Sequence, residues 1–582
     1  MEPIENLAEQ WLSTDQDPET RKEIEDLLAI HDEAELEKRL RTRIAFGTAG
    51  LRASMKAGYA YMNSLTVLQA SQGLATYVLE QQGPSLATGE RLSVVVGYDA
   101  RHNSARFAKL AAGAFVAKGL NVLWFGQLIH TPMVPFAVNH HEAAAGIMVT
   151  ASHNPKADNG YKVYWKNGCQ IIPPHDQGIA KAIDQLEPII SWNEKTVGNS
   201  SNVQHIFPEA TEAYYTALQI VVPRSTRTAT FTYTPMHGVG LPFMQKALDV
   251  LGLPNDTMKV VAAQAQPDPE FSTVPFPNPE EKGALDLAYE TAAKNDCKVV
   301  LANDPDADRF AVAERLDGGE WHQFTGNQMG FLLASYVWET YPHDKGKLAM
   351  LASTVSSRML AAMAIKEGFH FKETLTGFKW LGNVAQDLQA QGYDAAFAYE
   401  EAIGYAFTGV VWDKDGIAAA AVFLTAWQRW QKQGLTPWQK LQQLYSSYGY
   451  FEDANTYLIS PSPEVTGRAF EDIRTSNGTG SPPATIGKRK ILRWRDLTIG
   501  YDSAGVDGKP DLPTDPTAQM ITCELDGVVF TARGSGTEPK IKLYIEATAG
   551  SSAEAKRSAN EVLQDLLREW FKPEFGLRLA GT

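Results

Sequence analysis

A chain of 582 residues exceeds what one hydrophobic core supports and predicts about four domains. Its formal net charge of -15 argues against nucleic acid, whose phosphate backbone is gripped by clustered Lys and Arg, and leaves small molecules as the expected partners. Hydrophobic residues at 44% and charged residues at 21% describe an ordinary globular protein. Cys169, Cys297 and Cys523 lie too far apart for a Cys-x-x-Cys motif, and three scattered cysteines in a chain of this length argue against a disulfide framework. The first ten residues are acidic and polar, and the longest apolar stretch, near 417–427, is too short to span a bilayer. These features predict a cytoplasmic protein with no membrane partner.

Residues 1–43 read as a helical docking extension, with Asp17 as N-cap and Pro18 at the first helical position. A glycine-rich loop follows, Phe46-Gly47-Thr48-Ala49-Gly50-Leu51-Arg52, ending in a cation. Three segments then repeat the order strand, helix, glycine, strand. The first has strands over 92–97 and 122–125 flanking a helix over 104–117 closed by Gly119. The second has strands over 230–234 and 260–263 and a helix over 241–251 closed by Gly252. The third has strands over 348–352 and 369–371 and a helix over 357–366 closed by Gly368. Such βαβ units predict three related α/β domains with mixed, mostly parallel sheets. From about residue 447 onward, shorter strands separated by Gly, Ser and Pro-rich loops predict a smaller C-terminal α+β domain, whose only clear late helix spans 552–570. The expected boundaries are 1–219, 220–327, 328–446 and 447–582.

Four stretches carry chemistry. The apolar run 143–149 reads as a strand buried on both faces and stops at Ser152 before the turn former Asn154-Pro155. Ser152 therefore sits at the carboxyl end of a strand, where open α/β sheets place ligands. Its hydroxyl is a nucleophile, a phosphate carrier or a turn cap, and the absence of a Gly-x-Ser-x-Gly elbow counts against a serine hydrolase. In Asp304-Pro305-Asp306-Ala307-Asp308-Arg309 the proline forbids a helix, and in an extended loop the three carboxylates converge on one side. Unless this is an acidic surface turn, the cluster needs a cation. Hard oxygen ligands suit Mg²⁺ with one position kept for a phosphate oxygen, and Arg309 directly after them favours an anion. Arg533-Gly534-Ser535-Gly536-Thr537, between expected strands 528–531 and 541–545, is either a polar hairpin turn or a phosphate cradle of backbone N–H groups, hydroxyls and a bidentate arginine. Lastly, an apolar strand delivers Glu400 and Glu401, acceptors suited to vicinal sugar hydroxyls. Lys379, shortly before it, is a phosphate contact or a plain surface lysine.

The order of these motifs resembles the α-D-phosphohexomutase superfamily over nearly the whole chain, with Thr-Ala-Ser-His-Asn-Pro and Asp-Pro-Asp-Ala-Asp-Arg its most specific parts. Phe-Gly-Thr-Ala-Gly-Leu-Arg, Gly-Phe-Lys-Trp-Leu-Gly-Asn and Glu-Glu-Ala-Ile-Gly-Tyr look most like the group that includes phosphopentomutases (phosphoribomutases) and glucose-1,6-bisphosphate synthases. The resemblance implies a monomer with its active site in the central cleft. It implies that Ser152 is a phosphoserine whose phosphate shares Mg²⁺ with Asp304, Asp306 and Asp308, and that glucose 1,6-bisphosphate or ribose 1,5-bisphosphate is the activator. Arg52, Lys162 and His153 would serve catalysis around the serine. Glu400, Glu401, Lys379 and Arg309 would bind substrate, and Arg533, Ser535, Gly536 and Thr537 would hold its distal phosphate. Many relatives have Glu-x-Ser where this chain has Glu400-Glu401-Ala402. The lost hydroxyl relaxes hexose reading, and together with the likeness to that group it implies phosphopentomutase activity with phosphoglucomutase activity beside it, with a glucose-1,6-bisphosphate synthase as an alternative. Two rivals come from outside that group: an aspartyl-phosphate enzyme, since Asp304-Pro305-Asp306 looks like an Asp-x-Asp nucleophile motif, and a non-catalytic sugar-phosphate-binding protein.

Overall fold

A computed structural model describes the chain except residues 1, 48–49, 84–88, 186, 225–228, 477–480, 535–539 and 581–582. It contains two compact units, Met1–Leu351 with Gly377–Trp438 and Ala352–Thr376 with Gln439–Thr582.

The first unit opens with helices Ile4–Thr14, Pro18–Ala29 and Glu33–Leu40, which enclose a small core around Trp11, Ile24 and Leu36. Asp17 caps the second helix by accepting from the Glu19 N–H, as its sequence position predicts. The same carboxylate accepts from Ser64 Oγ at 2.8 Å and Arg106 Nη1 at 2.7 Å, which docks the extension.

Both large sheets of this unit are mixed. In the first, the strands run in the order Gly50–Ser54, Asp158–Trp165, Ala145–Val149, Ser93–Tyr98, Asn121–Trp124, Val203–His205. The last four pair in parallel and the first two run antiparallel, with Arg52 opposite Gly160 and Met148 opposite Lys162. The βαβ unit read from sequence is here strand Ser93–Tyr98, helix Ser104–Ala117 and strand Asn121–Trp124. Every residue of Ala145–Val149 is buried, as expected of a central strand without charge. The second sheet runs Trp321–Gln323, Ala311–Arg315, Val299–Ala302, Phe231–Thr234, Met258–Val260, with helix Gly240–Leu251 closed by left-handed Gly252. A third group contains Leu348–Ser353, Asp394–Glu400 and Gly404–Phe407, followed by the almost wholly buried helix Gly416–Lys432.

The second unit has an antiparallel sheet in which Met520–Leu525, Val528–Gly534 and Lys540–Ala549 are consecutive neighbours, flanked by Arg493–Asp496 and Thr456–Ile459. Helix Ser552–Glu569 packs its buried face, Ala555, Ala559, Val562 and Leu566, on the same core as Phe530, Leu543 and Ile545. The expectation of one late helix is corrected by a second, Pro463–Thr475. Only Thr466, Ala469, Phe470, Ile473 and Arg474, whose guanidinium pairs with buried Asp496, are buried on it, so its apolar stripe is too thin to stand out. Ser462 as N-cap and Pro463 in the first turn were its legible signal. The fold is thus a multi-domain α/β architecture with an α+β C-terminal part.

Candidate active site

Each acidic or nucleophilic motif of the first unit lies just past a strand. Ser152 follows Ala145–Val149, the three aspartates follow Val299–Ala302, and Glu400 ends Asp394–Glu400. Ser152 is 2% exposed and has φ 54°, a left-handed conformation that a non-glycine residue holds only when its surroundings enforce it. Its N–H donates to Thr150 Oγ1 at 2.8 Å, and Thr150 Oγ1 donates to Asp99 Oδ2 at 2.7 Å. The Arg101 guanidinium donates to four backbone carbonyls of the loop, those of Ser152 at 2.5 Å, Asn154 at 2.6 Å, Pro155 at 2.9 Å and Asp158 at 3.3 Å. Arg101 is itself paired with Asp99 at 3.5 Å.

From this fixed loop, Ser152 Oγ donates to Asp304 Oδ2 at 2.8 Å and lies 3.3 Å from His153 Nδ1. Asp304, Asp306 and Asp308 are all fully buried, and one oxygen from each lies within 4.8 Å of the others. Lys162 Nζ donates to Asp306 Oδ2 and Asp308 Oδ2, both at 2.7 Å, and Lys414 Nζ stands 3.3 Å from Asp308 Oδ2. Thr131 adds its N–H to the Asp306 carbonyl at 2.9 Å and its hydroxyl to the Asp306 carboxylate. Backbone bonds from Phe310 N–H to the Ile403 carbonyl and from Gly416 N–H to the Ala307 carbonyl, both at 3.1 Å, tie the aspartate loop to the segment that presents Glu400.

Charge accounts for the behaviour of the cluster. Burial and the neighbouring Asp306 and Asp308 push the Asp304 carboxyl well above the usual range. Burial would raise Asp306 too, but Lys162, Thr131 and Lys414 hold it well below its ordinary value. Asp306 Oδ1 and Asp308 Oδ1 are buried without any hydrogen-bond partner. Two orphaned carboxylate oxygens beside a serine hydroxyl, in an all-oxygen donor set, are what a hard divalent cation would satisfy, so the residues fit a metal ion. His153 is held well below its usual range by burial and by the charges of Arg309 and Arg52, and is therefore neutral at pH 7.

The structure brings Ser152, His153, Arg52, Lys162, the three aspartates and Arg309 together. Arg52 is on the exposed side, with its guanidinium 3.3 Å from Asn154 Oδ1. The Arg309 N–H donates to Asp304 Oδ1 at 3.0 Å, and its guanidinium interacts electrostatically with Asp304, Asp308 and Glu400. Burial pushes Glu400 up to about 7, against the attraction of Lys414 and Arg309 and with the repulsion of Glu401. Lys379 is buried in the first turn of helix Phe378–Ala390, its ammonium 5.2 Å from the Trp380 ring centroid. Arg533 belongs to the second unit, near the end of strand Val528–Gly534, whereas Ser535, Gly536 and Thr537 lie outside the described residues. Sequence reasoning missed Arg101, Thr131 and Lys414. Lys414 had a faint signal, since Asp413-Lys414-Asp415 is a charged triplet directly before an apolar helix.

Comparison with known proteins follows the same order. Models of phosphoglucomutase/phosphomannomutase alpha/beta/alpha domains I, II and III match residues 43–189, 212–318 and 325–448, and that of the C-terminal domain matches 522–564. The chain is 45% identical to the phosphoribomutase of Saccharomyces cerevisiae, over 97% of this chain and 96% of that one. It is 41% identical to the glucose 1,6-bisphosphate synthase of Homo sapiens, over 97% and 93%. The crystal structure of a phosphoglucomutase/phosphomannomutase family protein from Burkholderia thailandensis has the same fold, with a TM-score of 0.67 at 18% identity over 92% of this chain and 99% of that one. The chain belongs to the phosphoglucomutase/phosphomannomutase family of the α-D-phosphohexomutase superfamily.

Proposed function

We propose that the protein is a sugar-phosphate mutase that interconverts ribose 1-phosphate and ribose 5-phosphate, and glucose 1-phosphate and glucose 6-phosphate, through phosphorylated Ser152 and a sugar bisphosphate. The carrying observation is Ser152 Oγ, held in a left-handed loop and bonded to Asp304 within a buried carboxylate cluster that has two unpartnered oxygens. Phosphoryl transfer asks a protein mainly for positioning and charge neutralisation, and these residues supply both. A sugar hydroxyl forms its bond to phosphorus as the bond from phosphorus to Ser152 Oγ breaks. The hydroxyl proton passes to a basic group of the set Arg52, Lys162 and His153, and Oγ recovers a proton when it leaves. The bisphosphate turns over, and its other phosphate returns to Ser152, so the net reaction is an isomerisation. Asp304, Asp306, Asp308 and the Ser152 phosphate would hold Mg²⁺, which neutralises charge on the phosphoryl group in flight.

Glu400 and Glu401 accept the sugar hydroxyls, Arg309 and Lys379 steady substrate charge, and the loop of Arg533, Ser535, Gly536 and Thr537 grips the phosphate that is not being transferred. The domain boundaries 1–219, 220–327, 328–446 and 447–582 assign one motif to each domain. We further take the enzyme to be a cytoplasmic monomer activated by glucose 1,6-bisphosphate or ribose 1,5-bisphosphate, with no nucleic-acid partner. Among the described residues no helix is long and apolar enough to cross a membrane. The pentose assignment is supported by Ala402, which lacks the hydroxyl of the Glu-x-Ser form, and by the phosphoribomutase relative.

The synthase relative at 41% identity favours one alternative, glucose-1,6-bisphosphate synthesis, which would use the same core with another phosphoryl donor. Catalytic efficiencies on ribose 1-phosphate and glucose 1-phosphate with catalytic bisphosphate, beside a trial with 1,3-bisphosphoglycerate as donor, separate the two. Isomerisation of ribose 1-phosphate well above synthase flux is expected. Synthase flux with negligible ribose isomerisation would overturn the pentose assignment.

A further inference from the structure

Among the described residues outside the reacting centre, one other group of metal-ligating side chains converges, on the surface of the first unit. Helix Met133–His140 ends in His140, the next residue is His141, and Glu209 stands in the first turn of helix Phe207–Val221. The two imidazoles share one carboxylate: His140 Nε2 is 2.5 Å from Glu209 Oε1 and His141 Nε2 is 3.1 Å from Glu209 Oε2. One donor atom from each of the three side chains lies within 4.8 Å of the others.

Hydrogen bonding explains only half of this arrangement. The His140 contact is a hydrogen bond, whereas His141 Nε2, buried and 3.1 Å from the carboxylate, meets it only in poor alignment. Its ring meets that of His140 edge-on at 4.9 Å and 77°, so both ring edges face the same carboxylate. Phe136 stacks on His140 at 5.7 Å and 12°, which fixes that ring.

We propose that His140, His141 and Glu209 form a binding site for a Zn²⁺-class transition-metal ion. Bonds of about 2.0–2.2 Å to nitrogen and oxygen place tetrahedral ligands roughly 3.4 Å apart, inside the 4.8 Å that already encloses the three donor atoms. Two imidazoles select zinc-class ions over Mg²⁺, which prefers oxygen, so this site and the aspartate cluster differ in the metal they take. Three protein ligands leave one position for water. The ion would join a helix that follows a partner of Asp306 to a helix that bonds the neighbour of Lys414. Met133–His140 begins just after Thr131, which bonds Asp306, and Phe207–Val221 carries Tyr214, whose hydroxyl donates to Asp415 at 2.7 Å.

The test is titration of the full-length protein with Zn²⁺ in saturating Mg²⁺, and with Co²⁺ read by its visible absorption. One equivalent should bind, survive in Asp306→Asn, and weaken by roughly tenfold or more in His140→Ala and in Glu209→Gln. Mg²⁺-dependent turnover of metal-free His140→Ala should equal that of the parent, which shows the variant is folded. Glu209→Gln, which keeps shape and volume, decides the matter if His140→Ala does not fold. Zinc binding that disappears in Asp306→Asn, or that Glu209→Gln leaves unchanged, would overturn the proposal, as would the absence of any bound equivalent.

Discussion

Arg101 stands behind the nucleophile. Its fork of donors on four carbonyls holds Ser152 in the left-handed region, and a lysine in its place keeps the charge but loses the fork. Arg101→Lys should therefore lower kcat by roughly tenfold to a hundredfold while KM changes little, the signature of a misplaced reacting group. Equal losses in an Arg106→Lys control, which has no contact with this loop, would remove that role. For the aspartate cluster, Asp306→Asn should weaken Mg²⁺ binding and slow turnover in both directions. Calorimetric titration of the purified protein with Mg²⁺ checks this, and unchanged affinity would take Asp306 out of the metal site. Glu400 supplies the pH dependence. Burial pushes its carboxyl up to about 7, above the ordinary glutamate value, and the ionised form accepts hydrogen bonds from hydroxyls through both oxygens. The limb of kcat/KM assigned to Glu400 should rise as pH increases through about 7 and disappear in Glu400→Gln. Stability has the opposite sign: a raised carboxyl contributes stability below its unfolded value that is lost as pH rises through about 7. A kcat/KM profile of Glu400→Gln parallel to that of the parent would assign the limb elsewhere.

At the scale of elements, the site depends on loops packed closer than side chains allow. A Cβ at Gly238 would lie 2.2 Å from the Pro305 carbonyl oxygen, and one at Gly416 would lie 2.3 Å from that of Arg309. Both neighbours are backbone of the aspartate loop, so neither can rotate away. Gly238→Ala should cost about 1–3 kcal/mol and lower activity by displacing the carboxylates, measured by denaturant melts and Mg²⁺ titration together. A variant with parental stability and metal affinity would show that the loop yields without consequence. Packing of this kind also marks the limit of what sequence shows. Strand ends were legible because an uncharged apolar run stops abruptly at Ser152, Asp304 and Glu400. Arg101 and Thr131 were not, because they act on backbone or on carboxylates of another loop, and their roles exist only once the chain is folded. Lys414 reaches Asp308 from a segment more than a hundred residues away in sequence. Helix Pro463–Thr475 escaped for a different reason: half its surface faces solvent, and its buried stripe is interrupted by charge.

At the scale of the whole molecule, Arg533 tests whether the second unit takes part in binding substrate. Loss of two charge-assisted bonds of ~1.5–3 kcal/mol each predicts a roughly hundred-fold to ten-thousand-fold fall in kcat/KM for Arg533→Ala. Parental efficiency would separate that loop from substrate. The three-domain repeat and the order of motifs were readable from sequence, since each repeat keeps its own helix, closing glycine and strand. The division into two compact units was not, because it cuts within Leu348–Ser353 and depends on packing rather than on local pattern. The central claim is that Ser152, and no aspartate, carries the phosphoryl group. Peptide mapping by mass spectrometry, after incubation with the sugar bisphosphate, measures this directly. An acid-stable phosphate on the peptide containing Ser152, absent in Ser152→Ala together with mutase activity, is the result expected. A hydroxylamine-labile phosphate on Asp304, with Ser152→Ala still active, would contradict it.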